Sequence, residues 1–196
     1  MAEVALRPAT SADADTVAQI WREGWRDGHL GHVPAALVEV RTPASFLQRA
    51  ADRVGDTTIA VVDGDIAGFT MVTGDEVEQV YVARSQRGSG VAALLLDDAR
   101  RRIGDAGHAV AWLAVATGNE RARRFYRRSG WTDEGAFDYA ASTDSGSTPV
   151  PCHRYTARTG RAPDMVRPPS RVPGWTNREA RGPGDCGEFA SARGLR

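Results

Sequence analysis

Two carboxylates, Glu76 and Glu78, sit in the run Glu76-Val77-Glu78-Gln79-Val80-Tyr81-Val82, which leads through Arg84-Ser85-Gln86 into Arg87-Gly88-Ser89-Gly90-Val91-Ala92. The run is β-branched and aromatic, which suits a pleated, half-buried strand. Residues two apart on a strand share a face, so both glutamates are expected to point the same way, as candidate proton acceptors or as solvated carboxylates at a strand end. The glycines fall where the chain must turn sharply and bring bare backbone close to something. Ala93-Leu94-Leu95-Leu96 then continues a helix whose first-turn N–H groups lack intrahelical partners. Such a helix start, with Arg87 beside it, suits phosphate oxygens. The stretch predicts a phosphorylated ligand.

Composition narrows the chemistry. A chain of 196 residues, 41% of them hydrophobic, can bury a core, and one domain is the expected count. All 25 basic residues are arginine. The absence of lysine excludes a lysine nucleophile or Schiff base and the lysine-bearing phosphate loop of nucleotide triphosphatases. Net charge is zero, so nothing points to nucleic acid. Cys152 and Cys186 are too few and too far apart for a disulfide framework or a metal site, and Cys152, without an evident base, reads as a small buried hydrophobe. No apolar run approaches the ~20 residues of a membrane span, and the opening Met1-Ala2-Glu3-Val4 lacks a signal pattern. A cytoplasmic protein with no membrane partner is the expectation.

The positioning elements come next. Val4 to Pro8 reads as a short strand ended by proline. Thr10 or Ser11 caps a helix with Asp13 and Asp15 in its first turn, Val17, Ile20, Trp21 and Trp25 on its apolar face, and Gly28 and Gly31 as its stop. His29 and His32 then read as loop histidines. Thr42-Pro43 opens a second helix, to about Val54. Thr57 to Val62 and Ile66 to Thr73 form a hairpin across Asp63-Gly64-Asp65. After the helix from Gly90 to about Gly104, with Arg100, Arg101 and Arg102 on a solvated face, Val110 to Val115 reads as a strand covered on both faces. Strand, helix, strand in that order implies a parallel pair. Asn119 caps a further helix to about Ser129, closed by Gly130, and Trp131 to Tyr139 and Val150 to Thr156 read as final strands around a polar loop. From Ala157 the chain is rich in Pro, Gly and Arg without apolar period and reads as a disordered tail. The expected division is a domain over 1–156 and a tail over 157–196.

Three phosphate-binding readings compete. Gly88-Ser89-Gly90-Val91-Ala92-Ala93 matches a dinucleotide fingerprint, but no carboxylate ends the next strand at Val115-Ala116-Thr117, as that reading requires. A triphosphatase fails on lysine. Arg87-x-x-Gly90-x-Ala92, preceded by Val80-Tyr81-Val82, resembles the acyl-CoA loop of the GNAT family of N-acetyltransferases. Asn119-Glu120-Arg121-Ala122-Arg123-Arg124-Phe125-Tyr126, with Gly130-Trp131 following, looks like that family's other motif, and the opening Leu6-Arg7-Pro8-Ala9 is also similar.

The resemblance implies an α/β fold: a mixed, mostly antiparallel sheet with one splayed parallel pair, flanked by helices. It implies that backbone groups of Arg87, Gly88, Ser89, Gly90, Val91 and Ala92 hold the pyrophosphate of acetyl-CoA. The thioester arm would lie between the splayed strands against Val80 and Val82, where a backbone N–H can stabilise an oxyanion. Asn119 would hold the pantetheine arm, Tyr126 would protonate the leaving thiolate, and Glu76 or Glu78 would take the amine's proton. The implied activity is acetyl transfer from acetyl-CoA, as co-substrate and without a metal, to a primary amine by direct attack. The alternatives are a catalytically inactive acyl-CoA-binding or sensing module, and a longer acyl donor. The acceptor surface is expected from Trp25 to Arg41 and from Phe137 to His153. Its amine stays unidentified, and oligomeric state stays open, a homodimer included.

Overall fold

The computed structural model describes residues 3–143 and 146–160. Seven strands, β1 Val4–Pro8, β2 Thr57–Val62, β3 Asp65–Thr73, β4 Glu76–Val82, β5 Val110–Ala116, β6 Thr132–Thr143 and β7 Gly146–Arg158, form one sheet in the order β1-β2-β3-β4-β5-β7-β6. Every neighbouring pair is antiparallel except β4 and β5. The β2–β3 turn carries Asp63 at φ 51° and Gly64 at φ 89°, the left-handed pair that a tight hairpin needs.

Five α-helices flank the sheet: α1 Ala14–His29, α2 Ala35–Val40, α3 Pro43–Asp52, α4 Val91–Asp105 and α5 Glu120–Arg128. On one face, Val17, Ile20, Trp21 and Trp25 of α1 and Phe46 and Ala50 of α3 pack with Ile59, Phe69 and Met71 of the sheet. On the other face, Leu96, Ala99 and Ile103 of α4 pack with Val77, Leu113, Val115 and Tyr155. Two caps form as their residue types predict, while α1 is instead entered through a 3-10 turn, Ser11–Asp13, with Asp13 at its N-cap. Thr42 accepts from the Ser45 N–H at 3.2 Å, and Asn119 Oδ1 accepts from the Ala122 N–H at 3.1 Å. At the entrance to α1, Asp13 takes both Arg7 Nη atoms, at 2.8 and 2.9 Å, and the Thr10 N–H at 2.7 Å.

Several expectations need correction. Gly28 does not stop α1. The helix continues to His29, and it is Gly31, at φ 83°, that turns the chain. His29 is therefore helical. α2 forms where no helix was expected, its first turn preceded by Pro34 rather than by a polar cap. β6 and β7 run far into the stretch read as a polar loop, pairing as far as Thr143 with Gly146, and β7 continues through Ala157 to Arg158. Along β5, Ala111, Leu113 and Val115 are buried while Trp112 and Ala114 are half-exposed, so this strand is less evenly covered than its composition suggests. Arg102 is not simply solvated, since it donates to Thr58 Oγ1. The expected tail from 161 onward lies outside the described residues.

Candidate active site

β4 and β5 are joined at one end only. Their ladder consists of the single pair Glu76 with Trp112, and Asp75 fastens it. Its carbonyl accepts from the Trp112 N–H at 3.0 Å and its carboxylate from the indole Nε1, also at 3.0 Å. Arg154 stacks over the same indole, 4.1 Å from its centroid. Beyond this clasp, 77–82 and 113–116 face each other unpaired, and a cleft of about 500 Å³ opens between them. Unpaired strand edges in a protein interior need hydrogen-bond partners, so the gap suits a ligand with an amide-bearing arm.

One end of the cleft is the glycine loop. Gly88 and Gly90 lie at φ 84° and 92°, a region that disfavours side chains, and a Cβ at either would meet nothing within 4 Å. The Arg87 and Ser89 N–H groups are turned inward, onto the Arg84 and Gln86 carbonyls. Those of Gly88, Gly90, Val91 and Ala92 have no backbone partner among the described residues. Four donors at the start of a fifteen-residue helix fit a pyrophosphate. The Arg87 side chain is held by Asp27 of α1 at 2.7 Å, with Arg84 on the same carboxylate at 3.2 Å. Those arginines, Arg87 first, hold Asp27 below the usual carboxylate range.

α1 lies across the gap, and two glycines let it approach. A Cβ at Gly24 would collide with the Tyr81 ring, and one at Gly28 would come within 2.9 Å of Asn119 Nδ2. Asn119, with Oδ1 spent on its cap, presents Nδ2 to the cleft it lines.

The two sides of the gap carry different chemistry. On the α4–α5 side, Tyr126 is wedged among Phe125, Trp131 and Tyr155, with ring centroids 5.2, 6.2 and 5.9 Å away. Its hydroxyl makes no hydrogen bond with a described residue, and burial raises its pKa. On the α1–α3 side stand Glu76, Glu78, Tyr139 and Tyr81. Burial raises the Tyr81 pKa, and the Tyr126 phenol adds to the rise. Burial raises the pKa of Glu76, only partly offset by the Tyr139 hydroxyl.

Simple alternation does not hold along β4. Glu78 is an extra residue against β3, a bulge between the pairs Val72–Val77 and Met71–Gln79. Val77 and Val80, three apart, thus share the α4 side. Glu76 and Glu78 both line the cleft, but their surroundings differ. Glu78 is paired with Arg53 at 2.8 Å and accepts from Thr73 Oγ1 at 3.2 Å. Glu76 makes no ion pair with a described residue.

Val80, Val82, Arg87, Gly88, Gly90, Ala92, Asn119 and Tyr126 all line the cleft. Val91 is buried beneath the loop, and the Ser89 hydroxyl donates to the Gln86 carbonyl at 2.7 Å. Residues at the site outside every expected stretch are Gly24 and Arg49, while Gly28 and Tyr139 fall within those expected to form the acceptor surface. For Gly24 the available signal was its pairing with Gly28, four residues on, in a helix that tolerates glycine poorly. His29 lines the cleft with its ring stacked on Trp25, 5.1 Å between centroids. Its Nδ1 donates to the Trp25 carbonyl at 3.0 Å, and burial pulls its pKa down to about 4. Cys152 is buried in the same wall with its thiol pushed up to about 11 by burial. Of the α5 arginines, Arg123 reaches Asp133 at 3.3 Å and the Thr117 carbonyl at 3.3 Å. Among the described residues no group of three His, Cys, Asp or Glu side chains is arranged to hold a metal ion.

Comparison with known proteins agrees with this geometry. The family model described as "Acetyltransferase (GNAT) family" matches residues 15–131. An uncharacterized N-acetyltransferase of Mycobacterium tuberculosis is 35% identical over 109 residues, covering 53% of this chain and 70% of that protein. A GCN5-related N-acetyltransferase structure from Rhodopseudomonas palustris superposes with a TM-score of 0.63 at 21% identity, over 81% of this chain and 97% of that one. The PaiA N-acetyltransferase of Thermoplasma acidophilum, solved in complex with coenzyme A, superposes at 0.61 with 16% identity, over 80% and 99%.

Proposed function

Because the chain belongs to the GNAT family of acetyltransferases, we propose that it moves an acetyl group from acetyl-CoA to a primary amine, by direct attack while both are bound in the cleft between β4 and β5. The observation that carries this reading is the gap itself. It has a glycine loop with free N–H groups at one end, on one side a carboxylate, Glu76, in no ion pair with a described residue and touched by the Tyr139 hydroxyl, and on the other the Tyr126 phenol, without a hydrogen bond to a described residue. That the PaiA protein was solved with coenzyme A supports the choice of donor.

In this reading the N–H groups of Gly88, Gly90, Val91 and Ala92 hold the pyrophosphate. The free edge of β4 near Val80 and Val82 aligns the pantetheine arm, and Asn119 Nδ2 donates to one of its carbonyls. Glu76 takes a proton from the substrate ammonium, directly or through a water. Its raised pKa narrows the gap to that of an amine, which makes it a better base near neutrality. The freed nitrogen lone pair forms the new C–N bond at the thioester carbonyl carbon. A β4 backbone N–H stabilises the charge that gathers on the carbonyl oxygen. As the C–S bond breaks, Tyr126 gives its hydroxyl proton to the departing sulfur. Burial keeps that phenol protonated until the thiolate needs it. The attacking nitrogen gives its remaining extra proton, through solvent, to the Tyr126 phenolate, Glu76 releases its proton to solvent, and the products are an N-acetylated amine and free CoA. Glu78, committed to Arg53, supports the strand rather than the chemistry.

The test is CoA release, followed by a thiol reagent, over a broad panel of amines with acetyl-CoA. Amine-dependent release with an acetylated product in the mass spectrum is expected. Tight CoA binding with no release for any amine would mark an inactive binding module instead.

A further inference from the structure

Arg49 and Arg53 lie one turn apart at the end of α3, and their circumstances differ. Arg53 is saturated, with Asp56 at 2.7 Å and Glu78 at 2.8 Å. Arg49 lines the cleft, lies over the Trp21 ring at 5.1 Å from its centroid, and makes no ion pair or hydrogen bond with a described residue. Its electrostatic neighbours are Glu78, already held by Arg53, the Arg53 cation itself, and the phenols of Tyr81 and Tyr139. The phenol of Tyr139 also lies against Glu76. A partly desolvated guanidinium whose nearby carboxylate is committed to another arginine is an incompletely compensated charge. Here it stands on the same side of the gap as the carboxylate assigned to the amine.

Resting on the acetyltransferase reading above, we infer that the acceptor is an amine carrying its own oxyanion, an amino acid or its phosphonate or phosphinate counterpart, and that Arg49 selects it. The ammonium faces Glu76 and the oxyanion faces Arg49, whose planar fork pairs well with a carboxylate or phosphorus oxyanion. The aromatic face of Trp21 beneath the guanidinium helps fix its plane. A polyamine or aminoglycoside would bring a second cation against Arg49 and is disfavoured. Arg41, on the same wall, is fixed on the Ser142 carbonyl at 2.7 Å and frames the rim.

Calorimetry on the full, CoA-loaded chain tests this without requiring turnover. The titrants are the common amino acids, the amines that lack their carboxylates, the matching aminophosphonates, and spermidine. At least one oxyanion-bearing amine is expected to bind tenfold or more tightly than its decarboxylated partner, with the carboxylate and phosphonate arms showing which oxyanion is preferred. Arg49→Met should erase that preference and Arg49→Lys should keep part of it, while both variants hold CoA as wild type does, which certifies their fold. The inference is overturned if no oxyanion-bearing amine binds, if the plain amine or spermidine binds as well, or if Arg49→Met leaves the preference intact. If amino acids bind through Arg49 yet no amine releases CoA, the acetyltransferase reading fails while the anion site stands.

Discussion

Nη2 of Arg53 lies 2.8 Å from Oε2 of Glu78, and this pair sets apart two glutamates that alternation alone makes equivalent. Glu78→Gln breaks a largely buried ion pair and is expected to cost about 1–2 kcal/mol of stability. The shape of the pH–rate profile should stay as in wild type. Thermal unfolding beside initial rates checks this. A stable Glu78→Gln protein that loses activity mainly at low pH would make Glu78 the base.

Asp27 holds both loop arginines and, under the proposed function, competes with CoA for them. Arg87→Ala should weaken CoA by about tenfold, the loss of one charge-assisted contact. Asp27→Asn, which releases Arg84 and Arg87 toward the phosphates, should tighten it. Gly90→Val should abolish binding, since the residue sits at φ 92° and a side chain there enters the open space over the loop. Calorimetry with CoA ranks the three, and equal affinity for wild type and Gly90→Val removes the loop from the site.

The glycines of α1 are expected to act on the cleft, not on the helix. Alanine is the better helix former by about 1 kcal/mol. Even so, Gly28→Ala places a methyl 2.9 Å from Asn119 Nδ2 and should raise KM for acetyl-CoA with little loss of helicity. An unchanged KM would show that Asn119 does not touch the arm.

His29 should leave a mark on acid stability. Burial holds its folded pKa at about 4 against 6.5 for the free side chain, so below pH 6.5 the unfolded chain binds the proton more readily. Stability is full above pH 6.5 and falls as pH drops toward 4, by about 3 kcal/mol in all. His29→Phe should flatten the unfolding free energy over that window, as denaturant titrations at a series of pH values would reveal.

The sequence made some of this legible and hid the rest, for physical reasons. The β4–loop–α4 unit, the Asn119 cap and the Asp63-Gly64 hairpin follow from local chemistry, and the structure has them. Gly28 was read as a stop because its reason is tertiary, a contact with Asn119 some ninety residues on. The bulge at Glu78 left only a faint trace, in Val77 and Val80 sharing a face at odd spacing. β6 and β7 hid their length because an exposed two-stranded ribbon can be built from Ser, Thr and Gly when its ladder does the holding. Nothing in the sequence sets Arg49 apart from the other arginines. Only the fold shows that its neighbour Arg53 takes the carboxylates and that Arg49 faces the cleft.

The measurement that bears most directly on the central claim, chemistry across the β4–β5 gap, is a pair of pH–rate profiles for Glu76→Gln and Tyr126→Phe beside wild type. Tyr126→Phe should fold normally, since the ring contacts remain, and bind acetyl-CoA with little change. Its turnover should fall roughly 10²–10⁴-fold at every pH. Glu76→Gln should lose most at low pH and recover part of its rate as pH rises and free amine becomes available. Wild-type rates for both variants across the pH range would contradict the account, because the acid and the base would then lie outside the gap.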